Sequence, residues 1–197
     1  MKKTLLFVMA AIVSLSINAQ TIFSEDFENV TIGSSGIGAI PTGWTTYGDN
    51  LTNHYDGFSQ SWDVYQFDDL GKVALSLSYT TTGQQVDRWL ITPEINIPDS
   101  GYCLTFDNFG VDDSYPDAFE VRISTTGVEK ADFTNRVLNV PVVPAGENSY
   151  LVNLDAFIGQ DIYVAFVNKG EAEIRVALFK NKVILNRYAR KLCKLFG

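Results

Sequence analysis

In the stretch Ala118-Phe119-Glu120-Val121-Arg122-Ile123-Ser124, apolar and polar side chains alternate from Phe119 onward. Successive side chains of an extended strand point to opposite faces, so Phe119, Val121 and Ile123 share a dry face and Glu120, Arg122 and Ser124 a wet one. Tyr163-Val164-Ala165-Phe166-Val167 is apolar at every position and suits a central strand. Outward from these two, other short runs of β-branched and aromatic residues are bounded by Gly, Pro, Asn and Asp. They predict strands at Thr21–Phe27, Trp44–Tyr47, Trp62–Phe67, Val73–Ser78, Arg88–Thr92, Tyr102–Asp107, Arg136–Val140 and Tyr150–Leu154. No window before residue 170 sustains a helical period. Many short strands in one stretch predict an all-β, single-domain β-sandwich, and a jelly roll is a common way to close one.

The 197 residues are 46% hydrophobic and 13% aromatic against 19% charged, enough apolar side chain for one packed core and too much for disorder. Two cysteines, Cys103 and Cys193, make neither a disulfide-dense scaffold nor a zinc-ligand cluster. The net charge of −8 is unevenly spread. Residues 20–168 hold 21 acids and five bases (Lys72, Arg88, Arg122, Lys130 and Arg136), whereas residues 169–197 hold eight bases and two acids. An acidic body repels phosphate backbones, which excludes nucleic acid as the partner of residues 20–168, and it suits calcium, which prefers carboxylate and carbonyl oxygens.

Met1-Lys2-Lys3, the apolar run Leu5–Ile17 and the small-residue end Asn18-Ala19 read as a secretory signal over residues 1–19, cleaved after Ala19. The run is shorter than the roughly 20 apolar residues that span a bilayer, and no later stretch is longer. The expectation is a secreted or cell-surface product with no transmembrane segment in the mature chain. Export also makes a Cys103–Cys193 bond chemically possible. Gly33–Gly43 reads as a surface loop, because it lacks the Gly-Lys-Ser/Thr ending of a phosphate loop and no helix follows it. Asn29-Val30-Thr31 and Asn50-Leu51-Thr52 fit the N-glycosylation pattern.

Asp26 and Glu28 lie two apart in the first predicted strand, where their side chains would share a face and could meet one cation, or form a solvent-facing acidic edge. Asp112-Asp113-Ser114-Tyr115-Pro116-Asp117 packs three carboxylates, Asp112, Asp113 and Asp117, into a proline-containing loop without EF-hand spacing, either an ion contact or a solvated turn. Asp49, Asp56 and Asp63 are weaker candidates of the same kind. Exposed aromatic faces suit sugar rings, and Tyr55, Phe58 and Tyr115 lie in polar loops where such a face would be available. Trp89 sits in an apolar run and is expected in the core. His54 is the only histidine and no GxSxG elbow exists, so no catalytic residues are expected and the chain is not read as an enzyme. A glycosidase needs only two carboxylates, which any acid-rich chain permits without implying one.

Several segments carry a family likeness. Phe23-Ser24-Glu25-Asp26-Phe27-Glu28-Asn29, then Ile40-Pro41-Thr42-Gly43-Trp44, resembles the start of the cleaved-adhesin, or choice-of-anchor J, domains of secreted Bacteroidetes proteins. These include the haemagglutinin/adhesin modules that accompany the gingipain proteases. Asp87–Ile95, Leu104-Thr105-Phe106-Asp107, Asp117–Gly127 and Asp132-Phe133-Thr134 follow in the family's order, and Val152–Phe166 resembles its penultimate strand. The resemblance implies a jelly-roll β-sandwich over residues 20–168 of the galactose-binding or MAM type. It further implies structural calcium and a non-catalytic adhesive module, for which the expected role is attachment to host or extracellular-matrix proteins or to surface glycans, with carbohydrate binding in support of a secreted degradative enzyme as the alternative. The family's closing Ile-Asp-Asp-Ile type strand has no counterpart after Asn168. Residues 169–197 therefore read as an atypical basic segment, a truncated or frame-shifted end, in which Ile184, Tyr188, Leu192 and Leu195 would fall near one face of a basic helix over Lys182–Phe196.

Overall fold

A computed structural model describes residues 20–111, 114, 116–171 and 176–187. In chain order the strands are β1 (Thr21–Glu25), β2 (Ile37–Gly38), β3 (Thr45–Tyr47), β4 (Asp63–Phe67), β5 (Gly71–Leu77), β6 (Arg88–Ile91), β7 (Ile95–Asn96), β8 (Tyr102–Gly110), β9 (Phe119–Ser124), β10 (Asn135–Val140), β11 (Gly146–Asn153), β12 (Asp161–Asn168) and β13 (Val176–Arg187). Two single 3-10 turns, Lys130–Asp132 and Asp155–Phe157, are the helical pieces among the described residues.

The strands form two antiparallel sheets of a jelly-roll β-sandwich. The larger runs β11-β8-β13-β5-β4-β2, with β1 against the second half of β13, and the smaller runs β10-β9-β12-β6-β3, with β7 on the start of β12. Between them lies the core. The larger sheet contributes Val64, Ala74, Leu104, Phe106, Val152, Val183 and Leu185, and the smaller contributes Leu90, Phe119, Val121, Ile123, Ile162, Val164 and Phe166. Phe106 stands at its middle, edge-on to Phe119 and Phe166 and stacked on Tyr150 at 5.2 Å. Aromatic pairs in these geometries add about 0.5–1.5 kcal/mol each beyond the area they bury.

All ten predicted strands are present with small shifts at their ends, and β12 is central as its apolar run predicts. The alternation in β9 holds: Phe119, Val121 and Ile123 enter the core, while Glu120 and Arg122 take the other face. That face is drier than expected, with Glu120 only 8% exposed, because Phe133 folds back over it beside Trp89, Ile91, Ala165 and Val167. Trp89 is buried as expected, but in this second cluster.

Three strands were not predicted. β2 falls within the glycine-rich stretch read as a loop and pairs with β4; Gly38 is buried there, where a Cβ would come 2.5 Å from the Thr31 carbonyl oxygen. β7 is only two residues long. β13 corrects the helical reading of Lys182–Phe196 for residues 182–187. Val183 and Leu185 also fit a two-residue period, both are buried in the core, and the strand gains β8 on one side with β5 and then β1 on the other. Residues 188–197, including Tyr188, Leu192 and Leu195, lie outside the described residues. Cys103 is buried and disulfide-bonded; Cys193 lies outside the described residues.

Candidate functional site

Five loops meet at one end of the sandwich. They follow β3, β5, β8, β10 and β12, and backbone hydrogen bonds tie them: Thr81 N to Thr52 O at 2.9 Å, Val86 N to Gly170 O at 3.0 Å, Lys169 N to Ala118 O at 2.9 Å and Val143 N to Asp117 O at 2.8 Å. Two buried polar groups support this platform from beneath.

The first is Arg88, fully buried at the start of β6. Nε and Nη2 donate to the two carboxylate oxygens of Asp49, each at 3.1 Å; Nη2 also donates to Leu51 O, and Nη1 to Asn53 Oδ1 at 2.6 Å and Leu77 O at 2.8 Å. All five guanidinium donors are matched. Asn53 passes the order onward, donating from Nδ2 to the carbonyls of Phe58 and Ser59. The second support is Ser78, whose hydroxyl donates to Asp117 Oδ1 at 2.7 Å. Beside it, Asn168 Nδ2 donates to Ser76 Oγ, and Gly170 N donates to Asn168 Oδ1.

On this frame His54 stacks on Tyr79 at 4.1 Å and 15°, and Tyr55 meets Tyr79 edge-on at 5.8 Å. Tyr55 is 48% exposed. Val111 and Val142, on two other loops of the same end, are exposed as well, so three of the four exposed large hydrophobic side chains among the described residues gather there. From this end a polar trough of about 470 Å³ runs onto the outer face of the smaller sheet, lined by Gln85, Glu120, Arg122, Asn139, Lys169 and Glu171 with Pro116, Ala118 and Pro141.

Two carboxylates organise that face. Burial pushes the Asp87 carboxyl up, but the ammonium groups of Lys130 and Lys169 and the indole N–H of Trp89 outweigh it and hold its pKa at about 2. Glu120 is likewise raised by burial and lowered further by Arg122 and Arg136, which it accepts at 2.6 Å and 2.9 Å. Lys130 and Arg122 lie 5.7 Å from the centre of the Trp89 ring.

The structure scatters several of the predicted site residues. β1 stops at Glu25 because Phe27 adopts φ 61, so Asp26 and Glu28 sit in a turn rather than sharing a strand face. Asp26 Oδ1 accepts from Glu28 N, and Glu28 Oε1 accepts from Lys72 N. Asp117 is buried on Ser78. Asp112, Asp113 and Tyr115 lie outside the described residues. Phe58 turns inward against Tyr65, whereas Tyr55 is exposed. Asp49 serves Arg88, while Asp63 accepts from Ser59 N, its carboxyl raised by burial. Among the described residues no three Asp, Glu, His or Cys side chains converge, and with the Lys72 ammonium on the Glu28 and Val30 carbonyls the turn at Asp26 and Glu28 does not fit a calcium cage.

Sequence reading missed Arg88, Asn53, Tyr79 and Asp87. A signal for Arg88 was present: a lone base heading the apolar run Trp89-Leu90-Ile91 must find a partner when the strand is buried. Its partner Asp49 lies 39 residues away in the chain.

Comparison with known proteins bears on this arrangement. The profile of the Cleaved Adhesin Domain matches residues 28–165. The chain belongs to the Cleaved Adhesin Domain family. Among relatives of this family, Hemagglutinin A of Porphyromonas gingivalis is 26% identical over 178 residues, covering 74% of this chain and 6% of that protein, so the chain spans a small fraction of that relative's length. Among solved structures, the K3 cleaved adhesin domain of Lys-gingipain from the same organism superposes with a TM-score of 0.62 at 26% identity, covering 86% of this chain and 99% of that one. The K1 domain gives 0.63 at 24% identity, with 84% and 97% covered, and shows the fold alone. The Cleaved Adhesin Domain match ends at residue 165, ahead of β13. An adhesin-type binding module is the reading the family carries.

Proposed function

We propose that this chain is a secreted or surface-associated, non-catalytic adhesin module that attaches to host or extracellular-matrix protein through the five-loop end. The observation that carries this reading is the exposure of Tyr55, Val111 and Val142 at this end, with the Tyr55 loop held from beneath by Arg88. Apolar side chains exposed together on a rigid frame mark a surface built for a partner, and preorganised loops lose little freedom on binding. Among the described residues no helix is long and apolar enough to cross a membrane. Calcium stays in the proposal only at the acidic loop 112–117, beside the buried Asp117.

Capture of surface glycans is the second reading, favoured by the Tyr55, Tyr79 and His54 rings beside the polar trough. Immobilised matrix proteins and a glycan array separate the two. Matrix-protein binding that Tyr55→Ala weakens at least tenfold, with a blank glycan array, is the expected result. Specific glycan signal lost in Tyr55→Ala selects the second reading, and turnover on peptide or glycoside panels contradicts both.

A further inference from the structure

The turn after β1 is crowded with negative charge, and one lysine holds it. Glu25, Asp26 and Glu28 fall within four residues. Each turns a carboxylate oxygen onto a backbone N–H: Glu25 Oε1 accepts from Phe27 at 2.7 Å, Asp26 Oδ1 from Glu28 at 3.2 Å and Glu28 Oε1 from Lys72 at 3.0 Å. From the start of β5, Lys72 Nζ reaches back and donates to Glu28 O at 2.7 Å and Val30 O at 2.8 Å. An ammonium is a compact charge with three donors, and two of them are spent here on main-chain carbonyls of a reversing loop. Carbonyl and carboxylate oxygens are also what a hard divalent cation selects. The close approach depends on Gly71, which has φ 76 and where a Cβ would come 2.6 Å from Glu28 Oε1.

We propose that Lys72 is the resident cation of this turn. Its ammonium draws the Glu28 and Val30 carbonyls together, so the clasp between the turn after β1 and the start of β5 needs no divalent metal. The assignment is independent of any ligand at the five-loop end.

Thermal unfolding of the purified protein, in EDTA and in millimolar calcium, tests it with Lys72→Met, Lys72→Ala and Glu28→Gln alongside. Lys72→Met keeps most of the side-chain stem and loses the charge; two charge-assisted hydrogen bonds at a half-exposed site predict a Tm lower by about 3–8 °C in EDTA. Lys72→Ala also empties the cradle, and calcium is expected to restore part of its loss. The wild type should show no calcium shift that Glu28→Gln removes. A Glu28-dependent calcium shift in the wild type overturns the proposal, as does an unchanged Tm in Lys72→Met. Failure of calcium to recover any of the Lys72→Ala loss would reduce Lys72 to ordinary packing and overturn it equally.

Discussion

Arg88 brings five N–H donors to a place that water does not reach, and Asp49, Asn53 and two backbone carbonyls take all of them. Removing the guanidinium leaves the Asp49 carboxylate without its partner in a largely dry site, and breaking a buried pair costs about 3–5 kcal/mol. Arg88→Met should lower the midpoint of urea unfolding accordingly with an unchanged slope; a shift under about 1 kcal/mol would mean that Asp49 finds water instead. Asp87 makes the opposite case, since its side chain is 42% exposed and solvent screens its pairs with Lys130 and Lys169. Its carboxyl is held at about 2 against an ordinary 3.8, so its contribution is complete above about pH 4 and is lost as the pH falls towards 2. After screening it is worth about 1 kcal/mol. Asp87→Asn should therefore melt about 2–4 °C below wild type at pH 6, and the gap should close near pH 2.

At the scale of elements, β13 decides whether the larger sheet exists. It lies between β8 and β5, and its second half also receives β1. A chain ended at Asn168 loses Val183 and Leu185 from the core, about 1.5–3 kcal/mol each, and leaves facing edges of β8 and β5 unpaired. Circular dichroism melts should show no cooperative transition for that chain beside a cooperative one for the full chain. A truncated chain that melts at the full-length temperature would remove β13 from the structural account. The ten predicted strands were legible because each carries a local run of strand-forming residues and its own turn residues. β13 was not, because Val183 and Leu185 satisfy both a strand and a loose helical period, and only the vacant place between β8 and β5 chooses between them. β2 was hidden for the converse reason: two residues beside glycines show no period, and they pair only because β4 is near.

For the whole molecule, the sandwich and its family were readable from ordered short motifs, whereas the site was readable only in part. Tyr55 stood out as an aromatic in a polar loop. The frame beneath it did not, because Arg88 and Asp49, or Ser78, Asp117 and Asn168, become neighbours only when five loops close over one end. The acidic turn misled for a local reason, since a single left-handed residue, Phe27, ends the strand that would have aligned Asp26 with Glu28. The topology also sets a timetable. The strand at the middle of the larger sheet follows the twelve others in the chain, so β5 and β8 wait for their common neighbour until all of those have been made. Until then the chain cannot close its core, and long-range strand pairing is slow in any case. The rigid sandwich is thus a product of the whole set of strands rather than of any stretch of them.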